Sequence, residues 1–478
     1  MKAGPENRRR SRPALKTPVI APARRLAFRI LTHIDAGDAH SDALLRSPEV
    51  DALSAPDRHL TTMLVLGTLR WQLALDARIR PLLARPDARL PPEAATALRL
   101  GAYQLLHLDR VPAHAVLHDS VELVKRGNDP GAAGMVNAVL RKIQSTSHRP
   151  QPAEAHSAAE LAAHWAHPSW MVERWVRSWG LQASQVICQW DQEPPPLTVR
   201  ADPWQTFPGL TTEPGAFLSC ARRVVRGDPG GSAPLRAAHI RIQDEASQLV
   251  AEILAAAAVP DARTQPASAQ PLRVLDLCAA PGGKTAILAE RLPASRITAV
   301  DVSRQRVLAA QSALRAANPD PTQPSHVRWQ VADATRLPLE AEYDAILCDV
   351  PCSGTGTLAR NPEIRLRLTE DDLPRQADRQ RAILRSGLAG LRPGGRLVYS
   401  TCSLEPEENE QVIESVLEEM SGARLVPVSE VFNTLLERAI LTPEGRERLR
   451  TAVAGPYLRT LPGLHPCDGF FAALLERA

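Results

Sequence analysis

The sequence predicts a multi-domain protein in which an all-α bundle comes first, a small α+β linking domain follows, and an α/β domain ends the chain. Three observations support this order. Apolar residues recur at helical spacing up to about residue 145, a proline-rich region follows, and strand and helix patterns alternate from about residue 241. The length of 478 residues agrees with about three domains of ~150 residues each.

The first predicted domain spans residues 18–145, where apolar residues such as Leu26, Ile30 and Ile34 share one helix face. Before it, residues 1–17 are charged and contain almost no large apolar side chains, which predicts a disordered basic tail. Eight of the first 25 residues are Lys or Arg against one Glu, although the whole chain has a net charge of only +4. The overall charge therefore does not by itself indicate nucleic-acid binding. A structural or protein-contact role remains the alternative, because helical bundles have no intrinsic function.

Residues 146–240 are rich in proline and mixed in pattern, which predicts the small α+β linking domain. A short strand-like segment occurs at 197–200. Upstream, residues 167–175 form an aromatic helix face that includes Arg174 and Trp175. We interpret this face as packed in the protein interior.

Residues 241–478 alternate between strands and helices, which predicts a parallel, doubly wound sheet with one reversed strand near its end. Ligands of such sheets bind beyond the carboxyl ends of the strands. Residues 255–272 are rich in Ala, Pro and Gln, and we expect a loose surface loop there. The predicted strands are 273–278, 296–302, 327–332, 344–349, 396–401 and 469–475, and the predicted helices are 283–292, 304–317, 375–391 and 407–420.

A glycine-containing loop follows the first strand of this sheet. The strand pattern is followed by Cys278-Ala279-Ala280-Pro281-Gly282-Gly283-Lys284-Thr285, which leads into a helix. Glycine lets a ligand approach the backbone closely, and a helix start offers unpaired N–H groups. The spacing matches neither the three-glycine dinucleotide fingerprint nor a phosphate loop. Residues 278–284 therefore predict a cradle for another kind of nucleotide.

Carboxylates end the next two strands. Asp301 lies about 25 residues beyond the end of the first strand, where a carboxylate binds the ribose hydroxyls in other doubly wound sheets. Asp333 ends the third strand, and we expect it to face the adenine amino group. An adenosine site without a triphosphate clamp indicates S-adenosylmethionine as the cofactor.

Two cysteines each close an apolar run, Cys352 in Asp349-Val350-Pro351-Cys352-Ser353-Gly354 and Cys402 in Ser400-Thr401-Cys402-Ser403. A cytosine ring is methylated at carbon 5 only after a nucleophile adds to carbon 6, and a thiolate does this near neutral pH. The pair therefore fits a reaction in which one cysteine attacks and the other helps the product leave.

Together these motifs resemble the Sun-type family of RNA cytosine-5 methyltransferases. The resemblance implies a Rossmann-like methyltransferase domain that uses S-adenosylmethionine. With the N-terminal part included, the chain resembles the bacterial members that methylate 16S ribosomal RNA, which implies a NusB-like RNA-binding domain at residues 18–145. The matching stretches are Asp276 to Thr285, Asp301, Asp333, Asp349 to Gly354 and Ser400 to Ser403.

The resemblance also implies a role for each matching residue. Cys402 attacks carbon 6 of an unstacked cytosine, and Asp349 stabilises the charge that develops on the ring. Cys352 assists the final elimination as a base or relay. Cytosine methyltransferases that act on DNA place their nucleophile in a Pro-Cys motif, so Cys352 is the rival nucleophile. The implied cofactor site comprises Cys278, Ala279, Ala280, Pro281, Gly282, Gly283, Lys284, Asp301, Asp333 and Asp349.

The other cysteines have simpler interpretations. A free cysteine is most often a small buried hydrophobe, and this also remains the alternative for Cys402. We expect Cys188, Cys220 and Cys348 in the core, whereas Cys467 stays open.

Two charged segments near the predicted site remain ambiguous. Residues 406–410, Pro-Glu-Glu-Asn-Glu, predict a helix start, with a base that shapes the active site as the alternative. Arg360, Arg365 and Arg367 belong either to a path for RNA or to a solvated basic helix.

Composition excludes several other classes. The seven cysteines form no C-x-x-C pair, which favours a reducing cytosol and predicts neither disulfides nor a metal site. No apolar run approaches the ~18 residues of a membrane span. We therefore expect a soluble, cytoplasmic protein. The resemblance implies RNA, in particular 16S ribosomal RNA, as its partner, and we expect a monomer.

Three alternative functions remain. A transfer RNA cytosine-5 methyltransferase differs only in its substrate. A non-catalytic RNA-binding or antitermination factor leaves the glycine loop and both cysteines unexplained. A methyltransferase for small molecules or proteins has no use for Cys402.

Overall fold

The computed structural model describes residues 20–37, 39–146, 155–229, 240–259, 270–316, 326–338 and 340–478. The chain divides into two compact units, residues 1–151 and 152–478. The predicted basic tail, residues 1–17, lies outside the described residues. The second unit contains both the linking and the α/β parts, and the boundary predicted between them remains a prediction.

The first unit is helical throughout its described residues, which confirms the predicted all-α bundle. Its longest helix, α4, has Ser54 as its N-cap: the Ser54 hydroxyl accepts a hydrogen bond from the backbone N–H of Asp57. The helices are α1 (Pro22–Asp35), α2 (Ser41–Leu45), α3 (Pro48–Asp51), α4 (Ala55–Ile79), α5 (Pro92–His107), α6 (Ala113–Lys125) and α7 (Ala133–Ser145).

The helix faces predicted from the sequence form the core of this bundle. Leu26, Ile30 and Ile34 of α1 are all buried. Arg24 on the same helix is also buried, and its guanidinium donates to Asp119 of α6 over 2.9 Å. A buried charge needs such a partner, so this ion pair fixes α1 against α6.

The second unit begins with two helices and a small antiparallel sheet, which confirms the predicted α+β composition of this region. The helices are α8 (Ala158–His164) and α9 (Ser169–Trp190), the latter interrupted at Gly180, where φ is 80°. The strands are β1 (Thr198–Arg200), β2 (Thr211–Pro214), β3 (Ala221–Arg226) and β4 (Arg241–Ile242), in the order β2-β3-β1-β4.

A larger mixed sheet forms the centre of the second unit. Its strands are β5 (Arg273–Leu277), β6 (Arg296–Asp301), β7 (Val327–Val331), β8 (Tyr343–Asp349), β9 (Leu391–Thr401), β10 (Ala423–Val426), β11 (Val453–Ala454), β12 (Tyr457–Thr460) and β13 (Phe470–Arg477). The order is β7-β6-β5-β8-β9-β13-β12-β11, with β10 also paired to β13. Strands β5 to β9 are mutually parallel, whereas β13 runs antiparallel to β9.

Helices lie between and around these strands. Val274, Leu275 and Leu277 of β5 are fully buried, as expected for a parallel strand that is covered on both faces. The helices of this part are α10 (Glu245–Ala258), α11 (Gly283–Arg291), α12 (Arg304–Ala316), α13 (Ile364–Arg367), α14 (Asp372–Gly390), α15 (Glu410–Glu419), α16 (Phe432–Glu437) and α17 (Pro443–Leu449).

All six predicted strands are present, and the predicted reversal near the end occurs at β13. The short strands β10, β11 and β12 were not predicted. The loose loop predicted from residue 255 is wrong at its start, because Ala255, Ala256 and Ala257 are buried in the last turn of α10. Alanine favours helix and packs closely, so this alanine run continues the helix. Residues 260–269 lie outside the described residues.

Candidate active site

Two thiols meet at the carboxyl edge of the large sheet. Strands β8 and β9 are parallel neighbours, and Asp349 at the end of β8 lies opposite Ser400 in β9. The segments after the two strands therefore leave the sheet side by side. The sulfur atoms of Cys352 and Cys402 lie 3.2 Å apart. The structure thus brings together the two cysteines that the sequence singled out.

The neighbouring sulfur and burial both act on the pKa of Cys352. The pKa of Cys352 is raised well above the usual value of a thiol, first by its hydrogen bond with Cys402 and next by burial. The negative charge of Glu408 acts in the same direction. Cys352 therefore holds its proton near neutral pH and can donate it towards the sulfur of Cys402.

Asp349 lies between two hydrogen-bond donors. The ammonium of Lys284 donates to Oδ2 over 2.7 Å, and the Ser400 hydroxyl donates to Oδ1 over 2.7 Å. The same ammonium lies 5.2 Å from the ring centroid of Phe470, in a cation–π contact. Lys284, which we assigned to the cofactor site, thus connects the glycine loop to the carboxylate that precedes the thiols.

The glycine loop, residues 278–283, leads from β5 into α11 as predicted. Cys278 and Gly282 have positive φ angles of 66° and 99°. At Gly282 an added Cβ would lie 3.1 Å from Ala310 and 3.2 Å from Trp329. Both the backbone conformation and the close packing therefore require glycine here.

Asp301 and Asp333 lie at the ends of β6 and β7 and are held by local backbone groups. Asp301 is buried and accepts hydrogen bonds from the backbone N–H of Ala280 over 3.2 Å and of Ser303 over 2.9 Å. Asp333 is exposed and accepts from the N–H and hydroxyl of Thr335, which lower its pKa. Both carboxylates therefore lie at the edge where a ligand of this sheet binds.

Two groups at the start of the glycine loop, Asp276 and Cys278, have raised pKa values. Burial raises the pKa of the Asp276 carboxyl to about 7, although the Thr285 hydroxyl donates to it over 2.6 Å. Burial likewise raises the pKa of the Cys278 thiol to about 12. Cys278 is therefore a neutral thiol, and it enters the candidate site through its backbone.

Glu408 is a site residue that the sequence analysis did not select. Residues 406–410 were interpreted mainly as a helix start, and a 3-10 helix at Pro406–Glu408 does precede α15. Glu408, however, is fully buried and accepts hydrogen bonds from both Ser353 and Ser403. The signal in the sequence is that the same dipeptide, Cys-Ser, follows both strands.

The aromatic face of α9 contacts the segment that follows Cys402. Trp175 is buried, as we expected, and its indole N–H donates to Glu405. Arg174 beside it donates to Glu405 over 2.8 Å, to Glu407 over 2.5 Å and to Glu370 over 3.0 Å. This arginine therefore ties α9 to the segment that follows Cys402.

Arg365 contradicts both interpretations that the sequence offered. It neither lines an open path nor belongs to a solvated helix, because it is only 2% exposed. Its guanidinium donates to the backbone carbonyls of Ala166 and Asp191. Burial and the charge of Arg365 lower the pKa of His167 in the same cluster to about 4.

Arg360 is likewise bound within the protein. Its guanidinium forms ion pairs with Asp468 at 2.6 Å and Asp244 at 3.0 Å. Of the three arginines proposed for an RNA path, Arg367 is the exposed one.

The remaining cysteines are mostly structural. Cys188 and Cys348 are fully buried, as predicted. Cys220 is half-buried, and the guanidinium of Arg291 donates to its sulfur over 3.4 Å. Cys467, which the sequence left open, is buried and its pKa is raised by burial. It therefore belongs to the core.

The described residues contain neither a metal-binding cluster nor a helix that could span a membrane. No group of three or more His, Cys, Asp or Glu side chains there could hold a metal ion. No helix in the same residues is long and apolar enough to cross a membrane.

The fold and the glycine loop define the class of Rossmann-like methyltransferases. Comparison with protein families narrows this class. Residues 265–476 match the 16S rRNA methyltransferase RsmB/F family, residues 21–145 match the NusB family, and residues 167–207 match the ferredoxin-like domain of RsmF/B-like methyltransferases. The chain belongs to the RsmB/F family, and it is an S-adenosylmethionine-dependent RNA methyltransferase.

Individual relatives support this assignment over nearly the whole chain. This chain is 31% identical to the probable ribosomal RNA small subunit methyltransferase B of Bacillus subtilis (strain 168), over 95% of this chain and 98% of that protein. It is 33% identical to the ribosomal RNA small subunit methyltransferase B of Xanthomonas campestris pv. campestris, over 88% and 89% of the two chains. The crystal structure of PH0851 aligns with a TM-score of 0.75 and 24% identity, covering 97% of this chain and all of that one, and shares its fold.

Proposed function

We propose that this enzyme methylates carbon 5 of a cytosine in 16S ribosomal RNA through a covalent bond between Cys402 and carbon 6. The observation that carries the proposal is the distance of 3.2 Å between the sulfurs of Cys402 and Cys352, next to the carboxylate of Asp349. A reaction that forms and then breaks a carbon–sulfur bond can use one thiol to attack and a second to assist release. The choice of 16S RNA rests on the family description and on the names of the small-subunit relatives.

The proposed cofactor site is the glycine loop together with Asp301, Asp333, Lys284 and Asp349. Its fit to S-adenosylmethionine rests on three features: the glycine backbone at 282, the start of α11 and the carboxylate after β6. When bound, S-adenosylmethionine supplies an electrophilic methyl group on a positively charged sulfur. The loop residues 278–283 contribute backbone groups, and Asp301 accepts hydrogen bonds from the ribose.

The hydrogen bond between the thiols supports different roles for the two cysteines. The raised pKa keeps Cys352 in its thiol form, and the 3.2 Å contact would let this thiol donate towards Cys402, which suits Cys402 to be the attacking sulfur. Asp349 would then bind the amino group and protonated nitrogen of the cytosine and stabilise the charge that develops. The base must leave its stack to reach these groups.

Cys352 is proposed to act in the second half of the reaction. Once Cys402 is bonded to carbon 6, its sulfur can no longer carry a negative charge, which removes one of the causes that raise the pKa of Cys352. Cys352 can then lose its proton to solvent and take the proton from carbon 5. The carbon 5 to carbon 6 double bond returns, and Cys402 leaves as a thiolate.

Replacement of each cysteine tests these roles. Cys402→Ala should abolish both methylation and covalent attachment, because the first bond cannot form. Cys352→Ala should methylate its RNA once and remain attached to it through Cys402. A denaturing gel of each variant with RNA and S-adenosylmethionine separates the outcomes, with Cys220→Ser as a control that keeps both activities.

The opposite pattern would reverse the assignment. A stable adduct with Cys402→Ala and none with Cys352→Ala would make Cys352 the nucleophile. Bisulfite mapping of RNA from a strain that lacks the protein identifies the modified cytosine, and loss of a methyl group from transfer RNA instead would overturn the 16S assignment. This substrate implies action in the cytoplasm, where we expect the enzyme to work as a monomer.

A further inference from the structure

We propose that Glu408 is a positioning residue that sets the distance between the two reactive sulfurs by holding the serines that follow both cysteines. Its Oε1 accepts hydrogen bonds from the backbone N–H of Ser353 over 2.8 Å and from the side-chain amide of Gln380 over 2.9 Å. Its Oε2 accepts from the hydroxyl of Ser403 over 2.5 Å and also from that of Ser353. One carboxylate therefore binds both cysteine segments. The proposal rests on the two-thiol reaction proposed above.

The burial of Glu408 argues that this arrangement has a purpose beyond stability. Glu408 is 0% exposed, and its four hydrogen-bond donors are all neutral groups. Burying a carboxylate is costly unless many hydrogen bonds compensate for the lost water. A helix start needs an acidic residue only near its exposed end. The buried position instead serves the two segments that the carboxylate joins.

Cys402, which directly follows β9, has both of its neighbours held by hydrogen bonds. Asn409, the neighbour of Glu408, accepts a hydrogen bond from the Thr401 hydroxyl over 2.5 Å and donates its amide to the carbonyl of Ser403 over 2.9 Å. Glu408 binds the Ser403 hydroxyl at the same time. The residues before and after Cys402 are thus both fixed by the pair Glu408 and Asn409.

Cys352, in the loop that follows β8, is held in the same way. Gln380 donates to the carbonyl of Pro351 over 3.0 Å as well as to Glu408. Ser353, on the other side of Cys352, binds Glu408 through both its backbone and its hydroxyl. Glu408 is therefore the common partner of two segments that are about 50 residues apart in the sequence. Supporting hydrogen bonds of this kind hold reactive side chains in a fixed geometry.

This arrangement predicts which reaction step Glu408 controls. Attack on carbon 6 uses one sulfur, whereas release of the product uses both. A displacement of about 1 Å in a reacting group can cost about 100-fold in rate. Loss of Glu408 should therefore slow release more than attack.

The test compares Glu408→Gln with the wild type and with Glu418→Gln, an exposed acid on α15. We expect Glu408→Gln to lower kcat by about 10- to 100-fold, with the KM for S-adenosylmethionine changed less than about two-fold, and to accumulate the RNA adduct. Glu418→Gln should match the wild type. If Glu408→Gln does not fold, Ser403→Ala removes one of the four contacts and should show a smaller change of the same kind.

A second measurement reports the distance between the sulfurs without any RNA. Diamide removes two electrons and two protons from a close thiol pair, which leaves a disulfide and the reduced hydrazine. Loss of two titratable thiols should be slower in Glu408→Gln than in the wild type and absent in Cys352→Ala. Wild-type kcat together with a wild-type rate of disulfide formation would overturn the proposal for Glu408. Methylation by Cys402→Ala would instead overturn the two-thiol reaction, so the two failures are distinguishable.

Discussion

The two sides of the active site are built in opposite ways. On one side are the thiol loops, residues 351–356 and 401–404, which are joined by bonds to each other and to Glu408. The backbone N–H of Gly356 donates to the carbonyl of Cys402 over 2.9 Å, and that of Leu404 donates to the Thr355 hydroxyl over 2.9 Å. On the other side is the glycine loop, where the main contact of the carboxylate Asp301 is with neighbouring backbone N–H groups.

The difference reflects what each side must do. In the proposed reaction both sulfurs act in turn on the same cytosine, so their distance would have to be fixed by the protein itself. A carboxylate oxygen has about two acceptor sites. Oδ2 of Asp301 accepts from Ala280 and lies 3.5 Å from the guanidinium of Arg306. Among the bonds of the described residues, Oδ1 accepts only from the Ser303 N–H, which leaves it capacity for a ligand. The thiol loops are therefore organised by internal contacts, whereas the glycine loop and Asp301 keep polar groups that the proposed cofactor could bind.

The largest expected effect comes from breaking the packing of the thiol loops. A Cβ at Gly356 would lie 2.3 Å from the carbonyl oxygen of Gly469, which is backbone and cannot rotate away. Gly356→Ala should cost about 1–3 kcal/mol of unfolding free energy and at least about 100-fold in kcat, because Cys402 is hydrogen-bonded to this glycine. Denaturant unfolding and steady-state methylation measure the two effects.

Gly422→Ala is the matched control for this variant. A Cβ there meets nothing within 4 Å, so stability should change by less than about 0.5 kcal/mol. If Gly356→Ala behaved like Gly422→Ala, the thiol loops would not be tightly packed and the comparison of the two sides would fail.

The next effect concerns the glycine loop and its carboxylates. Asp301→Ala should weaken S-adenosylmethionine binding by about 1.5–3 kcal/mol, the contribution of hydrogen bonds to a charged group. This corresponds to roughly 10- to 150-fold in Kd. Asp333→Ala should have a smaller effect, because Asp333 is exposed. Calorimetric titration without RNA measures both, and an unchanged affinity for Asp301→Ala would remove that residue from the cofactor site.

The sequence predicted the parts of this site that depend on local pattern. Strand ends are marked by apolar runs, so Asp301, Asp349 and Cys402 were correctly expected at one edge of the sheet. The glycine loop was equally visible, because positive φ angles at Gly282 require a residue without a side chain. Their chemical roles remain predictions until the variants are made.

The residues that were missed depend on contacts between distant segments. Glu408 meets Ser353 only because β8 and β9 are neighbours and the 3-10 helix at Pro406–Glu408 folds back onto the segments that follow them. Arg365 lies in a basic stretch that resembles a solvated helix, yet the segment containing Ala166 and Asp191 buries it. Local sequence could not show either environment, because the partners are supplied by the tertiary fold.

The smallest expected effect is a change in how stability depends on pH, and it tests how closed the glycine-loop side of the site is. Asp276 lies at the start of the glycine loop, and burial raises the pKa of its carboxyl from 3.8 to about 7. Between these two values the folded protein binds more protons than the unfolded chain, so this group lowers stability as pH rises through the window. Above about pH 7 the carboxyl is ionised in both the folded and the unfolded protein, so its contribution to stability no longer changes with pH.

Asp276→Asn removes this titration and leaves the shape of the side chain nearly unchanged. The unfolding free energy of the variant relative to the wild type should therefore rise by about 1.4 kcal/mol between about pH 5 and pH 6, the value of one pKa unit. Seven of the eight tryptophans lie after residue 151, so their fluorescence follows unfolding of the second unit. Other titrating groups cancel in the difference between the two proteins. A difference that stays constant across this range would mean that Asp276 is ionised in the folded protein and that solvent reaches the base of the glycine loop, which would make this side of the site far more open than the thiol loops.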